Sequence, residues 1–522
     1  MMMFTLNHII ENGDQKFPDK EAFRFLDQSI TYKNLEEKAI KVASYLQSKG
    51  IKKGDCVGIY MNRCIESSFA IYGILKAGCV YVPLDPFAPI ARTSFLIKDC
   101  GITCLISTPQ QKRKLVKIID NNQLIESIIG IENFLVKNVI SWTQIDEVDI
   151  KYFASPNTVA ADLAYILYTS GSTGTPKGIM HTHYSALSYA QLSADLYGLT
   201  SEDTLGNHAP THFDVSTFGY FSGPLVSATT VIASDAHTKL PASLAKLIEK
   251  EKISVWYSVP LALIQMLQHK ALEGKNFSAL RFILFAGEVF TTKYLRELML
   301  IWPDKKFSNI YGPTETNQCT YYNLKRPPEG NTPIPIGKVW ANTDYKVLDD
   351  DDNEVENGIQ GELVISSATV MKGYWNNPQL TKKSFFITQL EGGFSKTYYR
   401  TGDQVMLNEN GDFIFFGRKD RQIKLRGYRI EIDEIEQVLL KHKAVSESAV
   451  ILSKIRNKEF LIANVITTNK EEISEEIVMA FCEKHLPQYA IPEQIRILDS
   501  LPRTSSGKID RKSIEKEVKQ KL

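Results

Sequence analysis

Directly behind the apolar run Leu163-Ala-Tyr-Ile-Leu-Tyr168, the stretch Tyr168-Thr-Ser-Gly-Ser-Thr-Gly-Thr-Pro-Lys-Gly178 concentrates hydroxyls, glycines and one lysine. Such a loop offers several backbone N–H groups and three or four hydroxyls to phosphate oxygens, with Lys177 as a point charge. It is not a Walker A loop. That pattern needs a second glycine five residues after the first, and counted from Gly171 the place is held by Pro176. A flexible Ser/Gly linker would not carry Pro-Lys-Gly behind a strand of this apolarity. Two carboxylates and a second lysine stand on other polar stretches: Glu315 in Asn309-Ile-Tyr-Gly-Pro-Thr-Glu315, Asp403 in Tyr399-Arg-Thr-Gly-Asp403, and Lys508 in Leu501-Pro-Arg-Thr-Ser-Ser-Gly-Lys-Ile-Asp510. Taken singly, Asp403 behind Gly402 could end a strand and Lys508 could be a solvated surface lysine.

Through the first four hundred residues, short β-rich apolar runs alternate with helical patterns. The runs include Cys56-Val-Gly-Ile-Tyr-Met, Val80-Tyr-Val, Thr103-Cys-Leu-Ile, Thr230-Val-Ile-Ala and Phe282-Ile-Leu-Phe. This alternation predicts parallel sheets covered by helices. From about Pro335 the texture turns to strands and turns. There Asp349-Asp-Asp-Asp-Asn353 lacks the spacing of a calcium loop and reads as a solvated hairpin turn. Beyond Gly417-Arg-Lys-Asp420 comes a piece of roughly a hundred residues with strands, a helix from Asp433 and another ending near His485, a small α+β unit. The expected organisation is an N-terminal domain, 1–419, and a C-terminal domain, 420–522.

A chain of 522 residues is too long for one core, in keeping with that division. Sixty-one Lys and Arg against 60 Asp and Glu leave a net charge of +1, which argues against a nucleic-acid or membrane-surface protein. Seven scattered cysteines show no metal or disulfide spacing and suit a reducing cytosol. The start lacks a basic n-region and no stretch approaches 18 apolar residues, so a soluble cytoplasmic chain is expected.

Tyr168–Gly178 resembles the phosphate loop of the adenylate-forming superfamily, which includes acyl-CoA synthetases, luciferases and nonribosomal peptide synthetase adenylation domains. Further stretches resemble the other motifs in the family's order: Lys76-Ala-Gly-Cys-Val-Tyr-Val-Pro-Leu-Asp85, the Glu315 and Asp403 stretches, Gly417-Arg-Lys-Asp-Arg-Gln-Ile-Lys-Leu-Arg-Gly-Tyr-Arg429, and the Lys508 loop. The resemblance implies a large domain of parallel-sheet α/β subdomains with a small β-barrel-like part, and a mobile α+β lid hinged at Asp420. It implies ATP at Thr169, Ser170, Gly171, Ser172, Thr173, Gly174, Lys177, Gly287, Glu288, Asn309, Ile310, Tyr311, Gly312, Pro313, Thr314, Asp403, Arg418 and Lys508. Glu315 would hold Mg²⁺, Tyr311 would stack on adenine, Asn309 would meet its amino group, and Asp403 would accept from the ribose hydroxyls. Thr169, Glu315 and Lys508 would be catalytic.

His212-Phe-Asp-Val-Ser216 bears on the acid activated. In members that use amino acids, an aspartate here binds the α-ammonium; in an apolar pocket such a carboxylate is costly without a cation. The pocket carried over by resemblance is Asp214, Val215, Phe218, Tyr257, Leu284, Ala286, Ile310, Gln318, Cys319 and Lys508. It is mostly apolar, holds no group suited to a charged side chain, and resembles free-standing ligases that load proline onto carrier proteins. The alternatives are a D-alanine–carrier ligase, which typically has cysteine at Ala286, a carboxylic acid–CoA ligase, and a non-catalytic nucleotide-binding regulator. Only 14 residues follow Lys508, so a separate carrier protein bearing phosphopantetheine is the expected acceptor. Amino acid, ATP and that carrier are the expected partners, with no nucleic acid and no membrane.

Overall fold

Strands such as Cys56–Tyr60, Val80–Pro83, Val255–Ser258 and Phe282–Phe285 are buried at every position, as a parallel sheet covered on both faces requires. The computed structural model describes residues 3–171, 174–330, 332–455, 458–467, 473–503 and 509–521. Among the described residues, one sheet of nine strands runs Lys338–Val339, Thr320–Leu324, Lys306–Tyr311, Phe282–Phe285, Val255–Ser258, Thr204–Asn207, Thr229–Ile232, Glu21–Phe25 and Gln28–Thr31. Its interior pairings are parallel and its edges antiparallel. A second sheet, of eight strands, is built around Cys56–Tyr60 and Val80–Pro83 and includes Leu163–Thr169 and Lys177–Thr182. An antiparallel sheet of five strands carries Thr343–Leu348, Gly361–Ser367, Phe385–Gln389, Ser395–Leu407 and Phe413–Arg418.

The pleat of the nine-stranded sheet sorts side chains to two faces. Tyr257, Leu284 and Ile310 enter one apolar cluster, while Trp256, Ile283, Phe285 and Phe307 enter another. Register sets Tyr257 beside Leu284 and Leu284 beside Ser308, so residues far apart in sequence form one row. The acidic run is a turn: Asp349 Oδ1 accepts from the N–H of Asp351 at 2.9 Å and of Asn353 at 2.8 Å.

The chain divides into two compact units. The first comprises Met1–Pro86, Ile97–Tyr168 and Gly178–Lys419; the second comprises Phe87–Leu96, Thr169–Lys177 and Asp420–Leu522. Two short segments from the N-terminal part therefore group with the C-terminal one. The second unit pairs Gln422–Leu425 with Tyr428–Glu431, and packs the helices Ile432–Leu440 and Glu475–His485 with the sheet of Val445–Ile455, Lys458–Thr467 and Gln494–Leu498. Its buried Glu436 is held by Arg421 at 2.6 Å and Arg511 at 3.0 Å. No helix among the described residues is long and apolar enough to cross a membrane.

Lys76, 5% exposed, pairs with Glu11 at 2.7 Å and Glu36 at 2.5 Å. Burial outweighs Lys76, and it raises the Glu36 carboxyl from 4.5 to about 7, with Glu11 and Asp14 adding to the rise. A carboxyl raised on folding gives a stabilising contribution that is complete below its unfolded pKa and is lost as pH climbs through the folded one. Between pH 5 and 8, wild-type stability should thus fall relative to Glu36→Gln, by an amount approaching about 3 kcal/mol. Urea unfolding of both proteins across that range is the check; parallel curves would contradict it.

Candidate functional site

Glu315 stands in the turn that joins the strands Lys306–Tyr311 and Thr320–Leu324, closed by Cys319 N–H to Tyr311 O at 3.0 Å. Gly312 permits the turn, because a Cβ there would lie 2.6 Å from Asn317 O. Glu315 has no exposed surface; the Tyr374 phenol donates to its Oε1 at 2.7 Å, and Met371 N–H donates to its backbone oxygen at 2.7 Å. The neighbouring Thr314 carbonyl lies 2.9 Å from His181 Nε2. A carbonyl only accepts, so Nε2 carries the proton and Nδ1 accepts from Ser185 Oγ at 3.2 Å. Burial lowers His181 to about 4, which keeps the ring neutral at pH 7.

Asp403 lies inside the strand Ser395–Leu407, opposite Arg418, rather than at a strand end. It is 2% exposed; Arg418 Nη1 donates to Oδ1 at 2.7 Å and the Tyr311 phenol donates to Oδ2. Arg418 also reaches Thr401 O at 3.0 Å. Burial, then the Asp403 charge, pushes the Tyr311 phenol well above its usual range. The adenine-stacking and ribose-binding candidates thus hold each other. A carboxylate offers about four lone-pair sites, so Asp403 retains accepting capacity. Asn309 spends its Nδ2 on Pro335 O at 2.8 Å, which leaves its Oδ1 as the atom to meet an amino group.

Of the acid-pocket candidates, Phe218, Tyr257, Leu284, Ala286 and Ile310 share one cluster, with Val215 packed on its side. Phe218 opens a π-helical turn, Phe218–Ser222, and meets Tyr257 edge to face at 5.4 Å. Asp214 Oδ1 accepts from Val215 N–H at 2.7 Å. Its charge adds to the effect of burial in raising the phenols of Tyr165, Tyr189 and Tyr257. Gln318 is buried, and its Nε2 donates to Tyr197 Oη at 3.0 Å. Cys319 joins a different cluster, with Tyr311, Ile336 and Val405. Gly287 takes φ of 97°, and Glu288 Oε1 accepts from Leu261 N–H at 3.0 Å.

The phosphate-loop candidates are described within the second unit. Ser170 Oγ donates to Arg429 O at 3.1 Å and accepts from Glu431 N–H at 3.3 Å; Lys177 Nζ lies 3.8 Å from Glu431 Oε1. The lysine read as a charge for phosphate is thus paired with a carboxylate. The Thr169 hydroxyl is buried without a hydrogen-bond partner among the described residues. Asp420 Oδ1 accepts from Gln422 N–H at 3.2 Å. Lys508, Ser172 and Thr173 lie outside the described residues.

The sequence reading missed His181, Tyr165, Tyr189, Tyr197 and Tyr374, which contact candidate residues or feel their charge. A signal existed: these are polar aromatic residues inside otherwise apolar or glycine-bearing stretches, and a buried phenol or imidazole needs a partner.

Parallel sheets, one of them carrying the buried acidic turn, place the chain in the α/β class. Residues 10–375 match the AMP-binding enzyme family, and residues 434–508 match the AMP-binding enzyme C-terminal domain. The chain belongs to the AMP-binding enzyme family, within the adenylate-forming superfamily. It is 30% identical over 506 residues to an L-proline–[L-prolyl-carrier protein] ligase of Pseudomonas fluorescens, covering 96% of this chain and 97% of that one. It is 34% identical over 494 residues to an enzyme of the same name from Streptomyces coelicolor, covering 92% and 91%. Among solved structures, the Vibrio cholerae adenylation domain AlmE in complex with glycyl-adenosine-5'-phosphate superposes with a TM-score of 0.83 at 24% identity, over 99% of this chain and 98% of that one.

With Asp403 nearly sealed from water, Arg418→Met should leave an uncompensated carboxylate and cost about 3 kcal/mol or more. Adding Asp403→Asn to that variant should restore much of the loss. Urea unfolding of the two variants is the check; equal stability of Arg418→Met and wild type would refute the coupling.

Proposed function

We propose that this enzyme activates an amino acid with ATP and passes it to the phosphopantetheine thiol of a separate carrier protein, with L-proline the substrate the pocket suits best. In the first half-reaction a carboxylate oxygen of the amino acid attacks the α-phosphorus. The new O–P bond replaces the bond to the β-phosphate, and pyrophosphate leaves. In the second, the thiol sulfur attacks the acyl carbon, AMP departs, and the thiol proton goes to solvent. Catalysis here is mostly positioning and charge neutralisation.

The observation that carries the amino-acid reading is Asp214, a half-buried carboxylate whose charge is felt by three fully buried tyrosines. A carboxylate in such surroundings favours a cationic partner, and the α-ammonium of an amino acid supplies one. Phe218, Tyr257, Leu284, Ala286 and Ile310 add a medium-sized apolar wall, and the two prolyl-carrier ligases among the relatives support proline. Ala286 supports it against the D-alanine ligase.

ATP fits the remaining candidates. The Thr169 hydroxyl, without a hydrogen-bond partner among the described residues, suits a phosphate oxygen, and the spare accepting capacity of Asp403 suits ribose hydroxyls. Glu315 fits Mg²⁺: it is a hard oxygen donor, and a cation would offset the cost of burying its charge. When bound, the ion would neutralise phosphate charge. Lys508 is assigned the charge developing between carboxylate and α-phosphate, and Asp420 the hinge between half-reactions, with 1–419 the core and 420–522 the lid.

Amino-acid-dependent pyrophosphate exchange, screened over both stereochemical series, tests the reading. L-Proline should give the strongest signal, and Lys508→Ala should lower it about 100-fold or more. Asp214→Ala should abolish amino-acid dependence while ATP still binds. No amino-acid dependence in the wild type would overturn the proposal, and a preference for D-alanine would transfer it to the rival ligase.

A further inference from the structure

Residues 369–376 lie outside every motif described above, yet they bridge the two large sheets. Thr369 Oγ1 donates to Gln318 O at 3.4 Å, and Met371 N–H and the Tyr374 phenol both reach Glu315, each at 2.7 Å. On the other side, Lys372 N–H donates to Met180 O at 2.8 Å and Trp375 N–H to Gly178 O at 2.7 Å, along the strand Lys177–Thr182. The Trp375 indole and the Asn376 amide both bond Asp99 O, at 3.0 Å and 2.9 Å. The strap therefore fixes the acidic turn relative to the strand that leaves the hydroxyl-rich loop.

Tyr374 is aimed by a backbone that only glycine tolerates. Gly373 has φ of 148°, and a Cβ there would lie 2.7 Å from Thr381 Cγ2. The next N–H, that of Tyr374, is tied to Thr381 Oγ1 at 2.9 Å. The ring is 4% exposed, and its oxygen also lies 3.5 Å from Tyr399 Oη, on the strand that carries Asp403. With its own proton given to Glu315, that oxygen accepts from Tyr399. The acidic turn and the Asp403 strand thus share one phenol relay.

We propose that Tyr374 is a positioning residue for adenylation: its phenol fixes the Glu315 carboxylate in the orientation that receives the divalent cation travelling with ATP. This rests on the reading of Glu315 given under the proposed function. A neutral donor suits the task. The phenol brings no positive charge of its own to Oε1, whereas a lysine or arginine there would offset the charge that draws the cation. Mg²⁺ demands near-ideal octahedral geometry, and losing the partner that orients a ligand typically costs 10–100-fold in metal affinity or activity.

The test is Tyr374→Phe, which keeps the ring and removes the hydroxyl. Mn²⁺ binding to the protein–ATP complex is measured by electron paramagnetic resonance, and AMP binding without metal is measured by calorimetry. Expected are a 10–100-fold weaker Mn²⁺ affinity, unchanged AMP affinity, and a matching rise in the Mg²⁺ concentration needed for half-maximal pyrophosphate exchange. Tyr399→Phe, which deletes a neighbouring buried hydroxyl and spares the Glu315 bond, should leave Mn²⁺ affinity within about threefold, well short of that range. Unchanged Mn²⁺ affinity in Tyr374→Phe, or equal loss of Mn²⁺ and AMP binding, would overturn the inference. Glu315→Gln separates the two claims: if it leaves Mn²⁺ affinity untouched, the reading of Glu315 fails first. If it weakens Mn²⁺ binding while Tyr374→Phe does not, only the positioning role fails.

Discussion

Supplying donors to carboxyl groups where water is nearly absent is the constraint on which the site depends. Glu315 is fully buried and Asp403 is 2% exposed, so each needs donors fixed in place by the fold. Asp403 takes a guanidinium from the adjacent strand and a phenol from the end of the strand Lys306–Tyr311. Glu315 takes a phenol from the segment that crosses between the sheets. The donors differ, and with them the chemistry available. A guanidinium sets a positive charge against Asp403 and leaves it an acceptor for hydroxyls; the phenol on Glu315 adds no charge of its own.

The same constraint acts on charged and titratable groups elsewhere in the chain. Asp214 accepts from the N–H of the next residue, and aromatic and aliphatic side chains supply the wall beside it. His181 sits against the Thr314 carbonyl as a neutral ring because burial has stripped its affinity for a second proton. Lys76, far from these residues in sequence, shows the opposite arrangement: one buried cation shared by two glutamates, where burial wins and the Glu36 carboxyl is raised to about 7. Placed side by side, these groups show that the fold tunes each charge through burial and the partners set against it.

Local chemistry was legible in the sequence, and long-range pairing was not. The strand–helix alternation led to parallel sheets, and the runs at Cys56, Val80 and Phe282 are strands of those sheets. The acidic run after Leu348 is a turn because Asp349 caps two N–H groups within four residues, a purely local event. By contrast, Tyr374 is 59 residues from Glu315, and the Tyr311–Asp403 contact spans 92. No periodicity encodes such contacts; they follow from which strands become neighbours. The pairing of Lys177 with Glu431 was hidden for the same reason, and Cys319 is drawn to a cluster with Ile336 and Val405 that its position beside Gln318 does not announce.

Native mass spectrometry of the protein incubated with ATP, Mg²⁺ and L-proline tests the central claim, that this enzyme joins an amino acid to AMP, most directly. A bound species with the added mass of prolyl-AMP, together with one pyrophosphate released per protein, is the result this account predicts. ADP release without an adenylate adduct would place the chemistry at a different phosphorus and contradict it.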